Sequence, residues 1–250
     1  MTRKGTFKPD SKLVASVVPS PNHDARDARI DILLLHYTGM QSAEEALDRL
    51  KDREAKVSCH YFVDEQGGIT QMVPEARRAW HGGLGSWKGA VNINARSIGI
   101  EIVNPGHELG YREFPDAQVE AVIALCRDIV GRHHIRRERV LAHSDVAPAR
   151  KKDPGEKFPW DRLAAAGIGL WVEPAPIDGG RTFSANDKGA EVEQLQKQLA
   201  RLGYELKVTG RYDDDTRTVV TAFQRHFRPA RVDGLADPST LDTLRRLLTR

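Results

Sequence analysis

The stretch S-I-G-I-E-I-V, residues 97–103, alternates with a period of two. That period is a strand's. Ile98, Ile100 and Ile102 fall on one face, and Gly99, Glu101 and Val103 on the other. The isoleucine face reads as core. A glutamate in so apolar a strand is costly unless it is solvated in a cleft or paired, with Arg96 or another arginine as the candidate partner.

Working outward, I-D-I-L-L-L-H-Y-T (30–38) is a short apolar run that suits a buried strand and ends near a histidine. Ser42, followed three residues later by Glu45, signals a capping box and a helix from 43 to about 52. Residues 60–73 read as two strands joined through Gly67-Gly68, and Asp116 caps an amphipathic helix to about 131. Val119, Val122, Ile123, Cys126, Ile129 and Val130 share its apolar face, which makes Cys126 a buried structural thiol. R-V-L-A-H-S-D (139–145) is a further strand ending near a histidine. Strands alternating with helices predict an α/β domain with a central mixed β-sheet flanked by helices.

The chain has 250 residues, enough for one sizeable core and a small second domain. Prolines, glycines and small polar residues between 171 and 187 mark a linker. The expected division is a first domain over 1–172, a linker over 173–186 and a second domain over 187–250. In the last unit, apolar residues recur at helical spacing three times: Val192, Leu195, Leu199 and Leu202; Val219, Val220, Phe223 and Phe227; and Leu241, Leu244 and Leu248. Gly203 stands where a helix would end. A small three-helix domain is expected, with no catalytic constellation of its own.

Charges nearly balance, 38 basic against 35 acidic, and residues 1–180 carry 25 of each. That argues against an electrostatic grip on nucleic acid, which wants one basic face. The two cysteines, Cys59 and Cys126, form no CxxC pair, so neither a disulfide framework nor a thiolate zinc site is expected. No stretch approaches the roughly 20 apolar residues of a membrane span, and no signal peptide is read at the N-terminus. A cytoplasmic monomer is the expectation from the chain as it stands, with the cell envelope as the alternative.

L-A-H-S-D-V-A-P-A-R-K-K-D-P-G (141–155) sets His143 ten residues before Asp153, with Lys151 two residues from the carboxylate. Pro148 and Pro154 exclude one regular helix. His36, His143 and Asp153 all follow apolar strands, whose ends face a crevice in α/β folds. Two imidazoles and a carboxylate suit zinc and leave a fourth position for water. Glu101 is the candidate proton acceptor, and Lys151 would add positive charge where an oxyanion forms. Taken singly, each has a plainer reading: a core histidine, an Asp-Pro turn, a solvated run of basic residues. H-E-L-G-Y (107–111) starts like the helical zinc motif HExxH but ends in Tyr111, so that site fails.

Four ordered blocks, L-L-L-H-Y-T, V-S-C-H-Y-F-V-D-E-Q-G-G-I-T-Q-M-V-P-E-A-R-R-A-W-H-G-G, S-I-G-I-E-I-V-N and the 141–155 segment, resemble the zinc N-acetylmuramoyl-L-alanine amidases of the AmpD/AmiD type (amidase-2). That family is related to peptidoglycan recognition proteins and the phage amidase lysozyme. The resemblance implies zinc ligands at His36, His143 and Asp153, a catalytic acid/base at Glu101 and transition-state support from Lys151. It implies substrate contacts at Trp80 and His81, and also at Asn94. Where the family commonly has a stem-peptide arginine this chain has Asn92, and Arg96 is the candidate substitute. The third ligand is aspartate, as in the bacterial members, where phage and animal relatives have cysteine. V-E-Q-L-Q-K-Q-L-A-R-L-G-Y and V-D-G-L-A-D-P-S-T-L-D-T-L resemble the peptidoglycan-binding type 1 module. The implied activity is hydrolysis of the amide between N-acetylmuramic acid, or its 1,6-anhydro form, and L-alanine, with peptidoglycan or muropeptide as partner. A non-cutting peptidoglycan sensor and a stem-peptide zinc peptidase are the alternatives.

Overall fold

A computed structural model describes residues 7–249. The elements are β1 (Ser16–Val17), β2 (His23–Ala25), β3 (Ile32–Tyr37), α1 (Ala43–Lys51), β4 (Tyr61–Val63), β5 (Ile69–Gln71), β6 (Arg77–Ala79), α2 (Ile93–Arg96), β7 (Ser97–Ile102), α3 (Asp116–His133), β8 (Val140–Ala142), α4 (His143–Val146), α5 (Trp160–Ala165), α6 (Ala190–Leu202), α7 (Asp214–Phe227) and α8 (Pro238–Leu248). The main sheet has the order β1-β5-β4-β7-β3-β8, and β2 pairs with β6 beside it. Strands β4, β7, β3 and β8 run parallel, while β5 returns antiparallel to β4. The sheet is therefore mixed, as expected.

The run I-L-L-L of β3 is buried on both faces, which is what a central parallel strand requires. One face, with Leu33, Leu35, Ile98, Ile100 and Ile102, packs on α3 through Val119, Val122, Cys126 and Ile129. The other face carries Ile32, Leu34 and Leu141 into a cluster with Leu195, Leu199 and Phe223 of the C-terminal helices. A third cluster lies under α1, around Ala46, Leu50 and Phe62.

Local signals are mostly obeyed. Ser42 Oγ accepts from Glu45 N at 3.1 Å, and Glu45 closes the cap one residue early, on Gln41 N. Pro115, not Asp116, occupies the cap position of α3. The Asp116 carboxylate instead accepts from Arg162 at 2.6 Å.

The second unit is not a loosely tethered module. Residues 173–186 form no helix or named strand, yet Ala175 is tied to α8 on both sides: its N–H donates to Thr243 Oγ1 and its carbonyl accepts from Ser239 Oγ. Gly203 ends α6 and sits on Trp87, where a Cβ would come within 2.3 Å of the indole. The deepest tie is Asp145, on α4. Its carboxylate accepts from Ala142 N (2.8 Å) and the Tyr204 hydroxyl (2.6 Å), and it lies 2.7 Å from His226 Nδ1. His226 also stacks on Trp160 with ring centroids 3.8 Å apart. A carboxylate this deeply buried is tolerable only because three donors surround it. Tyr204→Phe leaves one of its oxygens short of a partner and should destabilise the whole chain by about 1–2 kcal/mol. Urea unfolding should keep a single transition; separate transitions for the two units would show that they are not coupled.

Candidate metal centre and active site

Strands β3, β7 and β8 end at one edge of the sheet. In the parallel register His36 stands opposite Glu101, and Ala142, the residue before His143, opposite Leu35. His143 opens α4, which stops after four residues at the turn before Pro148. The chain then doubles back, and Ser144 N donates to Asp153 O at 3.1 Å. His36, His143 and Asp153 are thereby brought together, all three buried.

Their donor atoms form an equilateral triangle. His36 Nδ1, His143 Nδ1 and Asp153 Oδ2 are each 2.9 Å from the other two. The outward nitrogens decide what the triangle contains. His143 Nε2 lies 3.0 Å from the Gly82 carbonyl, which can only accept, so Nε2 carries the proton. Beneath His36 the Ser97 hydroxyl donates to Ile93 O at 2.7 Å, so Ser97 Oγ receives His81 Nε2–H at 3.2 Å. His81 Nδ1 is then left to accept from His36 Nε2–H at 3.0 Å. Both ligand Nδ1 atoms therefore turn bare lone pairs toward the carboxylate oxygen. Three converging lone pairs repel unless a cation sits among them, and hydrogen bonds that orient ligating imidazoles are a usual part of metal sites. Tetrahedral coordination at about 2.0–2.1 Å spaces its donors by about 3.3 Å. The residues present fit a divalent metal.

The electrostatics agree. Burial, reinforced by His143, pushes His36 down to about 4, so the imidazole is neutral and able to ligate. Burial and His36 hold His81 well below its ordinary value. Burial first, then Asp153, raise Glu101 well above the carboxylate range, against the pull of Lys151. Its Oε2 is buried and without a hydrogen-bond partner. Triangle, Glu101 and Lys151 all line one cavity of about 410 Å³, walled on one side by Arg49 and Leu50 of α1. Lys151 has no ion pair among the described residues.

Comparison with known proteins gives the family. Residues 26–156 match the family model described as N-acetylmuramoyl-L-alanine amidase, and 188–244 match a putative peptidoglycan binding domain. N-acetylmuramoyl-L-alanine amidase AmiD of Escherichia coli (strain K12) is 39% identical over 236 residues, covering 89% of this chain and 83% of AmiD. The chain belongs to the N-acetylmuramoyl-L-alanine amidase family. The 1,6-anhydro-N-acetylmuramyl-L-alanine amidase AmpD of Enterobacter cloacae is 32% identical to this amidase over 167 residues, 59% of this chain and 87% of AmpD. Among solved structures, the complex of E. coli AmiD with anhydro-N-acetylmuramic acid-L-Ala-D-gamma-Glu-L-Lys is similar with a TM-score of 0.75 and 37% identity, covering 90% of this chain and 92% of that one.

The amidase places the other expected residues less uniformly. His81 borders the cavity, but both its ring nitrogens are engaged beneath His36, so it supports a ligand where a substrate contact was expected. Trp80 is half-buried and outside the cavity lining, its indole N–H donating to Asp24 at 2.7 Å. Asn94 Oδ1 accepts from His81 N and Gly82 N, which shapes the 80–82 turn. Arg96 is a correction. It ends α2, just before β7 and at the end of that strand away from the site, and pairs with Asp31. Among the described residues Glu101 has no arginine partner. Asn92 caps α2 in the left-handed region (φ 55°), a conformation asparagine tolerates better than arginine.

Arg26 went unread in the sequence. Its guanidinium donates to the carbonyls of Glu75, Arg77, Ala95 and Ser97, fastening the N-terminal arm to the start of β7. A lone arginine in an irregular arm carries no signal of such a role. Gly99 does carry one. A Cβ there would lie 2.4 Å from His81 Nδ1, so the glycine in S-I-G-I-E is the seat of the imidazole. Gly99→Ala should displace His81 and lower metal affinity about 10–100-fold, read by competition with a chelator. Unchanged affinity in a folded variant would mean that His81 does not orient His36.

Proposed function

We propose that this amidase is a zinc hydrolase of the bond between the lactyl group of N-acetylmuramic acid and L-alanine, in peptidoglycan or in 1,6-anhydro-muropeptides. The observation that carries the reading is the triangle of His36, His143 and Asp153 beside the unpartnered Oε2 of Glu101 in one cavity. His36, His143 and Asp153 would hold zinc, which when bound polarises a carbonyl and acidifies water at the open fourth position. Glu101 takes a proton from the attacking water. Its raised pKa makes it a stronger base than an exposed carboxylate and a competent acid afterwards. As the C–N bond breaks, Glu101 returns that proton to the departing L-alanine nitrogen. Lys151 places positive charge on the cavity wall as the carbonyl oxygen becomes negative.

The catalytic unit is proposed to run to about residue 172 and the peptidoglycan-binding unit to begin near 187. The chain is proposed to act as a monomer, and residues 188–244, which match a putative peptidoglycan binding domain, support a second unit that holds the substrate. No helix among the described residues is long and apolar enough to cross a membrane. Whether the enzyme works on intact wall or on soluble fragments is decided by rate. Zinc-loaded protein incubated with sacculi and with soluble anhydro-muropeptides should release free stem peptide beginning at L-alanine, read by mass spectrometry, and the faster substrate reports the setting. Intact substrates that nonetheless retain the protein would favour the sensor reading. Glu101→Gln should keep about one zinc per chain while turnover falls about 100-fold or more. A variant that still turns over at the wild-type rate removes Glu101 from the mechanism.

A further inference from the structure

The loop that carries Asp153 has two sides. One faces the metal site. The other faces α7 across a second cavity of about 400 Å³. Five of its lining residues are basic: Arg150, Lys151 and Lys152 from the loop, Arg217 and Arg225 from α7. The rest of the lining is uncharged, and Thr218 and Thr221 contribute hydroxyls. Arg150, Lys151 and Lys152 line both cavities, so the loop is their common wall.

Carboxylates pair with three of the five cations, which leaves Arg150 and Lys151 without a counter-charge among the described residues. Lys152 reaches Glu108 at 2.7 Å, Arg225 has Glu156 at 3.4 Å and Arg217 has Asp214 at 3.8 Å. Arg150 gives one hydrogen bond to the Leu84 carbonyl and, like Lys151, has no ion pair among the described residues. Arg225 Nε is buried, and its contact with Glu156 is an ion pair without hydrogen-bond geometry. Gathering like charges between two packed units costs stability, and in a chain whose charges otherwise nearly balance it calls for an anionic occupant.

We propose that this groove is a carboxylate subsite for the stem peptide, which would make α7 part of the substrate site; the proposal rests on the amidase reading above. The peptide of the AmiD complex, L-Ala-D-gamma-Glu-L-Lys, shows the chemistry. A γ-linked glutamate leaves its α-carboxylate free, and the last residue adds a second. At up to about 3.3–3.6 Å per residue, these groups stand roughly 7–11 Å beyond the bond that is cut. Arg150, Lys151 and Lys152 line both cavities, so the wall these groups would meet beyond the metal site is the basic one. Arginine and lysine recognise carboxylates through charge-assisted hydrogen bonds, and the threonine hydroxyls can complete the set.

The test separates binding from cutting. Calorimetry on the zinc-loaded full chain carrying Glu101→Gln compares the free tripeptide with the same peptide bearing carboxamides in place of both carboxylates. The acid form should bind about tenfold more tightly, and added salt should erode that preference. Adding Arg217→Gln and Lys152→Gln, both at solvent-reachable positions, should bring the ratio to within about twofold of one. In the otherwise wild-type enzyme Arg217→Gln alone, outside the metal cavity, should raise KM for the acid substrate about threefold or more and change kcat less than about twofold. Equal binding of acid and amide, or a preference that survives both substitutions, overturns the subsite. So does loss of binding to a phosphate polymer without loss of the carboxylate preference, because the groove would then serve a different anion. If the preference is found but no substrate is cut, the amidase reading fails and the subsite stands.

Discussion

Parallel pairing of β3 with β7, in the register that sets His36 opposite Glu101, is the constraint on which the site depends. Side chains directly opposite in register point to the same face, so the His36 imidazole and the Glu101 carboxyl are fixed as neighbours by backbone hydrogen bonds alone. A slip of one residue would turn one of them into the isoleucine face against α3. The apolar residues that hold the register are therefore also what holds the chemistry. Leu33, Leu35, Ile98 and Ile100 are fully buried, and a one-residue slip of either strand would turn its pair away from α3. β8 adds the third strand end and delivers His143 to the same edge.

A register places side chains but does not choose tautomers. That is the work of a polar layer beneath the triangle: Gly82 under His143, and His81, Ser97 and Ile93 under His36. The layer is buried, so each member needs a partner, and each has one. Glu101 Oε2 is the exception on the cavity side. An unsatisfied buried carboxyl oxygen is destabilising by itself, and at the mouth of a metal site it is where a reacting water would find its acceptor.

What was legible in the sequence follows from this. The strands announced themselves by period and by apolar runs, and His36, Glu101, His143 and Asp153 stood out as polar residues at the ends of such strands or breaking them. Arg96 was misread because proximity in sequence is not proximity along a strand. Five residues of extended chain put it about 16 Å from Glu101, at the end of the strand away from the site. Trp80 and Asn94 lie near the site in sequence, but their polar atoms are spent on Asp24 and on the backbone of the 80–82 turn. His81 was noticed, yet nothing in a linear pattern tells that its ring lies on Gly99 beneath a ligand. Arg26 and the basic groove were not visible at all. Charge counts nearly balanced along the chain say nothing of which cations the fold brings face to face.

The same limit applies to Asp145, two residues from His143. Its partners Tyr204 and His226 are 59 and 81 residues away, so no local reading could join them. Yet they make α4 a shared element. On one side it presents a metal ligand, and on the other it is clasped by the C-terminal helices through a fully buried carboxylate. Such a joint resists hinge motion, because opening it would expose Leu34, Leu195 and Phe223 together with an unpaired charge. The C-terminal unit is thus held in fixed relation to the metal site. A wall-binding unit on a flexible tether raises only the local concentration of substrate. One clamped to the ligand loop can also set the direction from which a peptide enters.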